Sequence, residues 1–137
     1  IRESGKSVIQ DRTIYEDAFI FAPNLHDMGL MTGRDFENYQ SLFELMESLV
    51  APPDLLIYLR SSIPNLVKQI HKRGRSYENG ISIDYLNRLN EKYEDWVKRY
   101  DKGKHIIIDV DNLDFVDNPE DLGSIVNRID AELNGLF

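Results

Sequence analysis

The stretch Ser7–Ala22, SVIQDRTIYEDAFIFA, changes its period in the middle. Val8-Ile9 is a short apolar run that reads as a buried strand. It stops at Gln10-Asp11-Arg12-Thr13, where an acid, a base and a hydroxyl stand side by side. From Ile14 the spacing turns helical: Ile14, Phe21 and the Tyr15/Phe19 pair sit at helix intervals, with Glu16 and Asp17 between them. In open α/β sheets ligands bind outside the carboxyl ends of the strands. On that geometry Asp11, Arg12 and Asp17 project into a cleft, one turn apart. The same turn can equally be a solvated surface carrying an Asp/Arg pair worth about 0–1 kcal/mol, so this stretch alone leaves function open.

Downstream, Pro23 to Gly33 reads as a loop, with His26 in it as a surface or hydrogen-bonded histidine. A helix is predicted from about Asp35, a plausible cap, with Phe36, Tyr39, Leu42, Phe43, Met46, Leu49 and Val50 at a 3.6-residue period. Core packing accounts for most of that stripe, and a helix-to-helix dimer seam could use the remainder. Pro52-Pro53 ends the helix. Leu55-Leu56-Ile57-Tyr58-Leu59 then has the unbroken apolar character of a strand buried on both faces. Ser62 caps a helix with Pro64 in its first turn, and Leu66, Val67 and Ile70 give its apolar face. Ser82 opens another helix with Ile83, Leu86, Leu89, Tyr93, Trp96, Val97 and Tyr100 inward, and with Glu94/Lys98 and Asp95/Arg99 paired on the wet face. His105-Ile106-Ile107-Ile108 is a third strand, and Asn118, Pro119 and Asp121 start a last helix. Strands alternating with helices imply an α/β fold with a parallel sheet covered on both faces. Upstream, Gly5-Lys6-Ser7 resembles the tail of a phosphate loop, but the chain begins too late for the glycine that GxxxxGK[ST] requires, and the triplet leads into a strand pattern. It reads as a turn.

Composition narrows the class. The 137 residues suffice for one domain with a core, and 42% hydrophobic and 29% charged residues are ordinary for a soluble globular chain. No apolar run reaches membrane-spanning length, and no secretory pattern is present. The absence of cysteine fits a reducing cytoplasm, where the protein is expected. A net charge of −8 argues against non-specific nucleic-acid binding. One basic cluster stands out: Lys68, His71, Lys72, Arg73 and Arg75. Two arginines flanking Gly74 can fork onto phosphate oxygens while the glycine lets the backbone fold over a ligand. Basic residues also favour a helix C-terminus for dipole reasons alone.

Taken in order, these pieces resemble the deoxynucleoside kinases, the deoxycytidine/deoxyguanosine/deoxyadenosine kinase group. Asp11-Arg12-Thr13 followed by Tyr15, Asp17 and Ile20-Phe21-Ala22 looks like their [D/E]-R-[S/T] region, and Leu56-Ile57-Tyr58-Leu59-Arg60 like their fourth strand. Arg73-Gly74-Arg75-Ser76-Tyr77-Glu78-Asn79-Gly80-Ile81, then Tyr85-Leu86, Leu89 and Trp96, is similar to their lid and the following helix. Asp109-Val110-Asp111 with Asp114-Phe115 resembles the loop that holds the adenine of ATP. The resemblance implies a P-loop NTPase-like three-layer α/β/α fold of nucleoside kinase type. Residues 1–137 would be a single domain, the C-terminal part of such a kinase, with a lid region over 68–80. The first strand, the phosphate loop and the general-base glutamate of the family would lie upstream of Ile1. Gln69 stands where many members carry an arginine, with Lys68 beside it.

The resemblance also implies roles. Asp11 would sit near Mg²⁺. Arg12 would meet the substrate's 5′-hydroxyl region and the phosphoryl group in flight. Asp17 would hydrogen-bond the nucleobase and Phe21 would stack on it, while Glu78 would bind the sugar 3′-hydroxyl. Arg73 and Arg75 would close over the ATP phosphates, and Asp114 and Phe115 would offer backbone contacts to adenine. In-line phosphoryl transfer depends on positioning and on cancelling negative charge, which arginines and Mg²⁺ supply. The expected function is ATP-dependent phosphorylation of a deoxynucleoside, purine-preferring with deoxyadenosine first, by a homodimer joined through the 35–50 helix. This chain alone is expected to be inactive. The alternatives are a nucleoside monophosphate kinase relative and a non-catalytic dimerisation fragment.

Overall fold

The structure, a computed structural model, describes residues 7–75 and 80–135. The Gly5-Lys6 part of the expected turn and Glu78 of the expected lid lie outside the described residues. The elements run α1 (Ile14–Glu16), a π-helical stretch (Asp17–Phe21), α2 (Ala22–Asp27), α3 (Gly33–Leu49), β1 (Leu56–Arg60), α4 (Ile63–Arg73), α5 (Ile83–Arg99), β2 (His105–Asp109) and α6 (Pro119–Asn134). β1 and β2 pair in parallel, Leu56 opposite His105 through Arg60 opposite Asp109. The chain between them supplies α4 and α5, the long connection that parallel strands need.

The helix starts follow the expected cap chemistry. Ser62 and Ser82 accept the backbone N–H groups of Asn65 and Tyr85, and Asn118 accepts that of Glu120. Gly74 ends α4 with φ of 65°, a left-handed cap that suits a residue without Cβ.

Several expectations are corrected. Val8-Ile9 is no strand: among the described residues it finds no ladder partner, and Ile9 is 96% exposed. A strand exists only through its neighbour's hydrogen bonds, which a two-residue apolar run cannot replace. The predicted loop after Ala22 is helical to Asp27, because Pro23 sits in a first turn, where its missing N–H is harmless. His26 stacks on Phe36 at 4.7 Å. α3 begins at Gly33, with Thr32 as the cap accepting from Asp35 N–H, so Asp35 is inside the helix rather than before it. Its apolar stripe is mostly exposed: Phe43 is buried, whereas Leu42, Met46, Leu49 and Val50 are not. Leu59 of β1 is also exposed, so that strand is not covered on both faces throughout.

The core has two parts. One gathers Tyr15, Ala18, Ile20, Phe43, Leu56, Trp96, Val97 and Tyr100, which locks the α1–π segment against α3, α5 and β1. The other joins Ile106, Ile108 and Val110 to Ile125 of α6. Tyr100 is the hub of the first: Tyr15 lies 6.4 Å away and Trp96 5.7 Å away, both edge-on. No helix among the described residues is long and apolar enough to cross a membrane.

Candidate functional site

The Asp11-Arg12-Thr13 turn is fixed from its C-terminal side. The Thr13 side chain caps α1, accepting Tyr15 N–H at 3.2 Å, and Glu16 reaches back to Thr13 N–H at 2.8 Å. Upstream, Gln10 Nε2 donates to the Arg12 carbonyl at 3.0 Å. Between these ties Arg12 holds φ of 59°, left-handed and unfavourable for a side chain with Cβ. That backbone turn sends the Arg12 guanidinium over the Phe21 ring, 4.4 Å from its centroid.

The π-helical stretch lies between residues nine apart that meet, Arg12 and Phe21. Asp17 opens it and Phe21 closes it, and the next backbone N–H, of Ala22, donates to the Asp17 carbonyl. The widened turn buries Ala18 and Ile20 and leaves Asp17 outward. Asp17 lines a hollow of about 240 Å³ with Ile14, Tyr39, Leu42, Phe43 and Met46. The Tyr39 phenol is held above its ordinary value, by burial first and by the Asp17 carboxylate second.

Phe21 meets Tyr93 of α5 edge-on at 6.4 Å, and Tyr93 stacks flat on Tyr58 of β1 at 5.9 Å. The Tyr58 hydroxyl donates to Glu94 Oε1. Arg60 grips the same carboxylate with two hydrogen bonds, 2.8 and 2.7 Å. Glu94 therefore faces the sheet, not the wet side with Lys98, because a half-buried arginine at a strand end recruits the nearest carboxylate. Arg99 likewise donates to the Asp95 carbonyl. Sequence reasoning missed this pairing; the signal was an arginine ending an apolar strand, which needs an acidic partner.

Glu94 carries a pH consequence. The Arg60 hydrogen bonds hold its carboxyl below the ordinary 4.5. A depressed carboxylate contributes stability that is fully present above pH 4.5 and lost as pH falls through the lower folded-state value. Glu94→Gln should destabilise by about 1 kcal/mol at neutral pH, discounted because Arg60 is 39% exposed. The deficit should vanish in acid. Thermal melts at both pH values check this; a pH-independent deficit would contradict the assignment.

The carboxyl end of β1 is also tied to the loop after β2. Val110 N–H donates to the Arg60 carbonyl at 2.9 Å. Asp111 Oδ1 accepts from Ser61 Oγ and from Ser62 N–H, which lowers its pKa, the Ser62 backbone bond first. Asp111 is a structural clasp that spacing alone could not reveal. Further along, Asp114 N–H donates to Asp121 Oδ2 at 2.7 Å, and the Asp114 carbonyl accepts from Asn118 N–H. Phe115 packs on the second core cluster. Lys72 pairs with Asp117 at 2.7 Å, bringing the base of the predicted lid against this loop. Arg73 and Arg75 flank Gly74 at the end of α4, both exposed. The predicted residues thus form two groups. Arg12, Asp17 and Phe21 gather at the α1–π segment with Asp11 beside them. Arg73 and Arg75 stand at the α4 end, which Lys72 ties through Asp117 to the loop that carries Asp114 and Phe115. The β1 end, through Arg60, Ser61 and Ser62, touches the supports of both.

The family model for deoxynucleoside kinase matches residues 1–134. The deoxyadenosine/deoxycytidine kinase of Bacillus subtilis is 34% identical over 131 residues, covering 94% of this chain and 60% of that protein. The deoxyadenosine kinase of Lactobacillus acidophilus is 38% identical over 138 residues, covering 93% and 63%. Among solved structures, the deoxyadenosine kinase of M. mycoides with bound dATP matches with a TM-score of 0.73 at 30% identity, over 91% of this chain and 63% of that one. The chain belongs to the deoxynucleoside kinase family and has its P-loop nucleoside kinase type of α/β fold. It spans about three-fifths of the length of these relatives.

Proposed function

We propose that the intact protein transfers the terminal phosphoryl group of ATP to the 5′-hydroxyl of a deoxynucleoside, preferring purines and deoxyadenosine first. The observation that carries this reading is Arg12: a strained, left-handed arginine in the family's motif, held over Phe21 beside Asp11 and near Asp17. The deoxyadenosine kinase names of two relatives, and the dATP bound in one, support the purine preference.

In this reading Arg12 neutralises charge on the phosphoryl group as it passes to the 5′-oxygen. Asp17 accepts from a donor edge of the base, and a base lacking that donor leaves the carboxylate unpaired. Phe21 offers the base its ring face opposite Arg12. Arg73 and Arg75 close on the ATP phosphates, and Glu78 takes the 3′-hydroxyl. Asp114, whose N–H is already donated to Asp121, meets adenine through its carbonyl's second lone pair, with Phe115 beside it. Mg²⁺, when bound, cancels phosphate charge. Asp11 is an exposed carboxylate, which fits an ion that takes one or two carboxylates and completes its shell with phosphates and water. The exposed apolar residues of α3 support a second copy of the chain as the partner of the 35–50 helix.

The test sets deoxynucleosides against their monophosphates as acceptors for the intact protein with ATP and Mg²⁺. Deoxyadenosine should be phosphorylated fastest. Turnover of monophosphates only would replace this reading with a monophosphate kinase, and no turnover of either would leave a binding module.

A further inference from the structure

We propose that Tyr93 is a positioning residue: its ring, clamped between Tyr58 and Phe21, holds Phe21 where Arg12 can rest on it and so aims the guanidinium. This rests on the catalytic reading of Arg12 given above. Five contacts in series carry it. Arg60 grips Glu94 with two hydrogen bonds at the end of β1. Glu94 also accepts from the Tyr58 hydroxyl at 3.2 Å, which fixes the Tyr58 ring. Tyr93 lies flat on that ring, 11° from parallel at 5.9 Å. Phe21 stands edge-on to Tyr93, and Arg12 lies over Phe21.

The charges agree with the geometry. Arg12 is exposed on a strained backbone, so its long side chain needs an external guide to keep one direction. Burial first, then the carboxylate of Glu16, push the Tyr93 phenol up to about 12; Asp11 and Asp17 add to this and Arg12 opposes it. Tyr93 therefore stays neutral throughout the working pH range, a rigid wall that faces the acidic turn without adding charge to it. It sits on α5, the helix that follows the predicted lid, so the chain of contacts joins the helix behind the ATP-covering segment to the arginine at the acceptor side.

The test uses the intact enzyme with deoxyadenosine and ATP. Tyr93→Leu should lower kcat about tenfold, since small misplacements of reacting groups carry losses of that size or more, with KM for ATP unchanged. Tyr93→Phe, which keeps the ring, should restore kcat to within about twofold. The deciding comparison repeats Tyr93→Leu in an Arg12→Lys background: if Tyr93 acts through Arg12, the further loss there shrinks to less than about twofold. Should Tyr93→Leu fail to fold, Glu94→Gln, which loosens the stack while leaving both rings in place, reads the same coupling. An equal loss in both backgrounds overturns the proposal. A wild-type enzyme that turns over no deoxynucleoside fails the functional reading instead, so the two failures are distinguishable.

Discussion

Replacing Arg12 with alanine in the intact enzyme is expected to lower kcat by about three orders of magnitude with any deoxynucleoside. The transition state of phosphoryl transfer spreads negative charge over oxygens that no other side chain of the Asp11–Phe21 segment can meet as a cation, Arg12 being its only base. Truncation removes both the charge and the planar fork. Arg12→Lys should fall between, because an ammonium supplies charge without the bidentate geometry or the flat face that rests on Phe21. KM for ATP should change little in either variant, since the proposed reading gives the phosphates of ATP to Arg73 and Arg75. Steady-state rates at saturating ATP check this. A kcat within tenfold of wild type for Arg12→Ala would remove the central assignment of the site.

Trp96→Ala is expected to cost about 3–5 kcal/mol of stability, the usual range for deleting a buried indole. Trp96 is 7% exposed and meets Tyr100 edge-on at 5.7 Å. Tyr100 in turn touches Tyr15, the buried residue of α1. The cavity would therefore open directly behind the segment that carries Arg12 and Asp17. Denaturant melts should show a lower midpoint at unchanged slope, and activity should fall at temperatures where the variant is still mostly folded. A loss below about 1 kcal/mol would mean the two-ring hub relaxes around the gap.

The helix starts were legible because cap chemistry is local: Ser62, Ser82 and Asn118 each satisfy an N–H within three residues. The two apolar runs at β1 and β2 were legible because each is short, unbroken and bounded by turn residues, Pro52-Pro53 before one and Gly103 before the other. What failed depended on register or on distant partners. Ordinary helix spacing puts Tyr15 and Ile20 about 140° apart, so Ile20 is not among the residues read at helix intervals. The π turn brings Ile20 inward to zero exposure and leaves Phe19 44% exposed. Glu94 was read from its i,i+4 neighbour, whereas Arg60 lies 34 residues away in sequence. Among the site residues, motif order marked Arg12, Asp17 and Phe21, and the structure brings them to one short segment. Tyr93 and Glu94 carried no motif, and Asp111 lay in one without a role of its own, since supports are recognised only by what they touch.

The left-handed backbone at Arg12 has an evolutionary corollary. Glycine or asparagine holds φ near 59° with less strain than arginine, which stores on the order of 1 kcal/mol there. A library selected purely for heat tolerance would drift toward those residues at position 12 and, on the role proposed for Arg12, yield sturdier but inert proteins. Directed evolution of a thermostable form must therefore score turnover in every round, because at this position the two traits pull against each other.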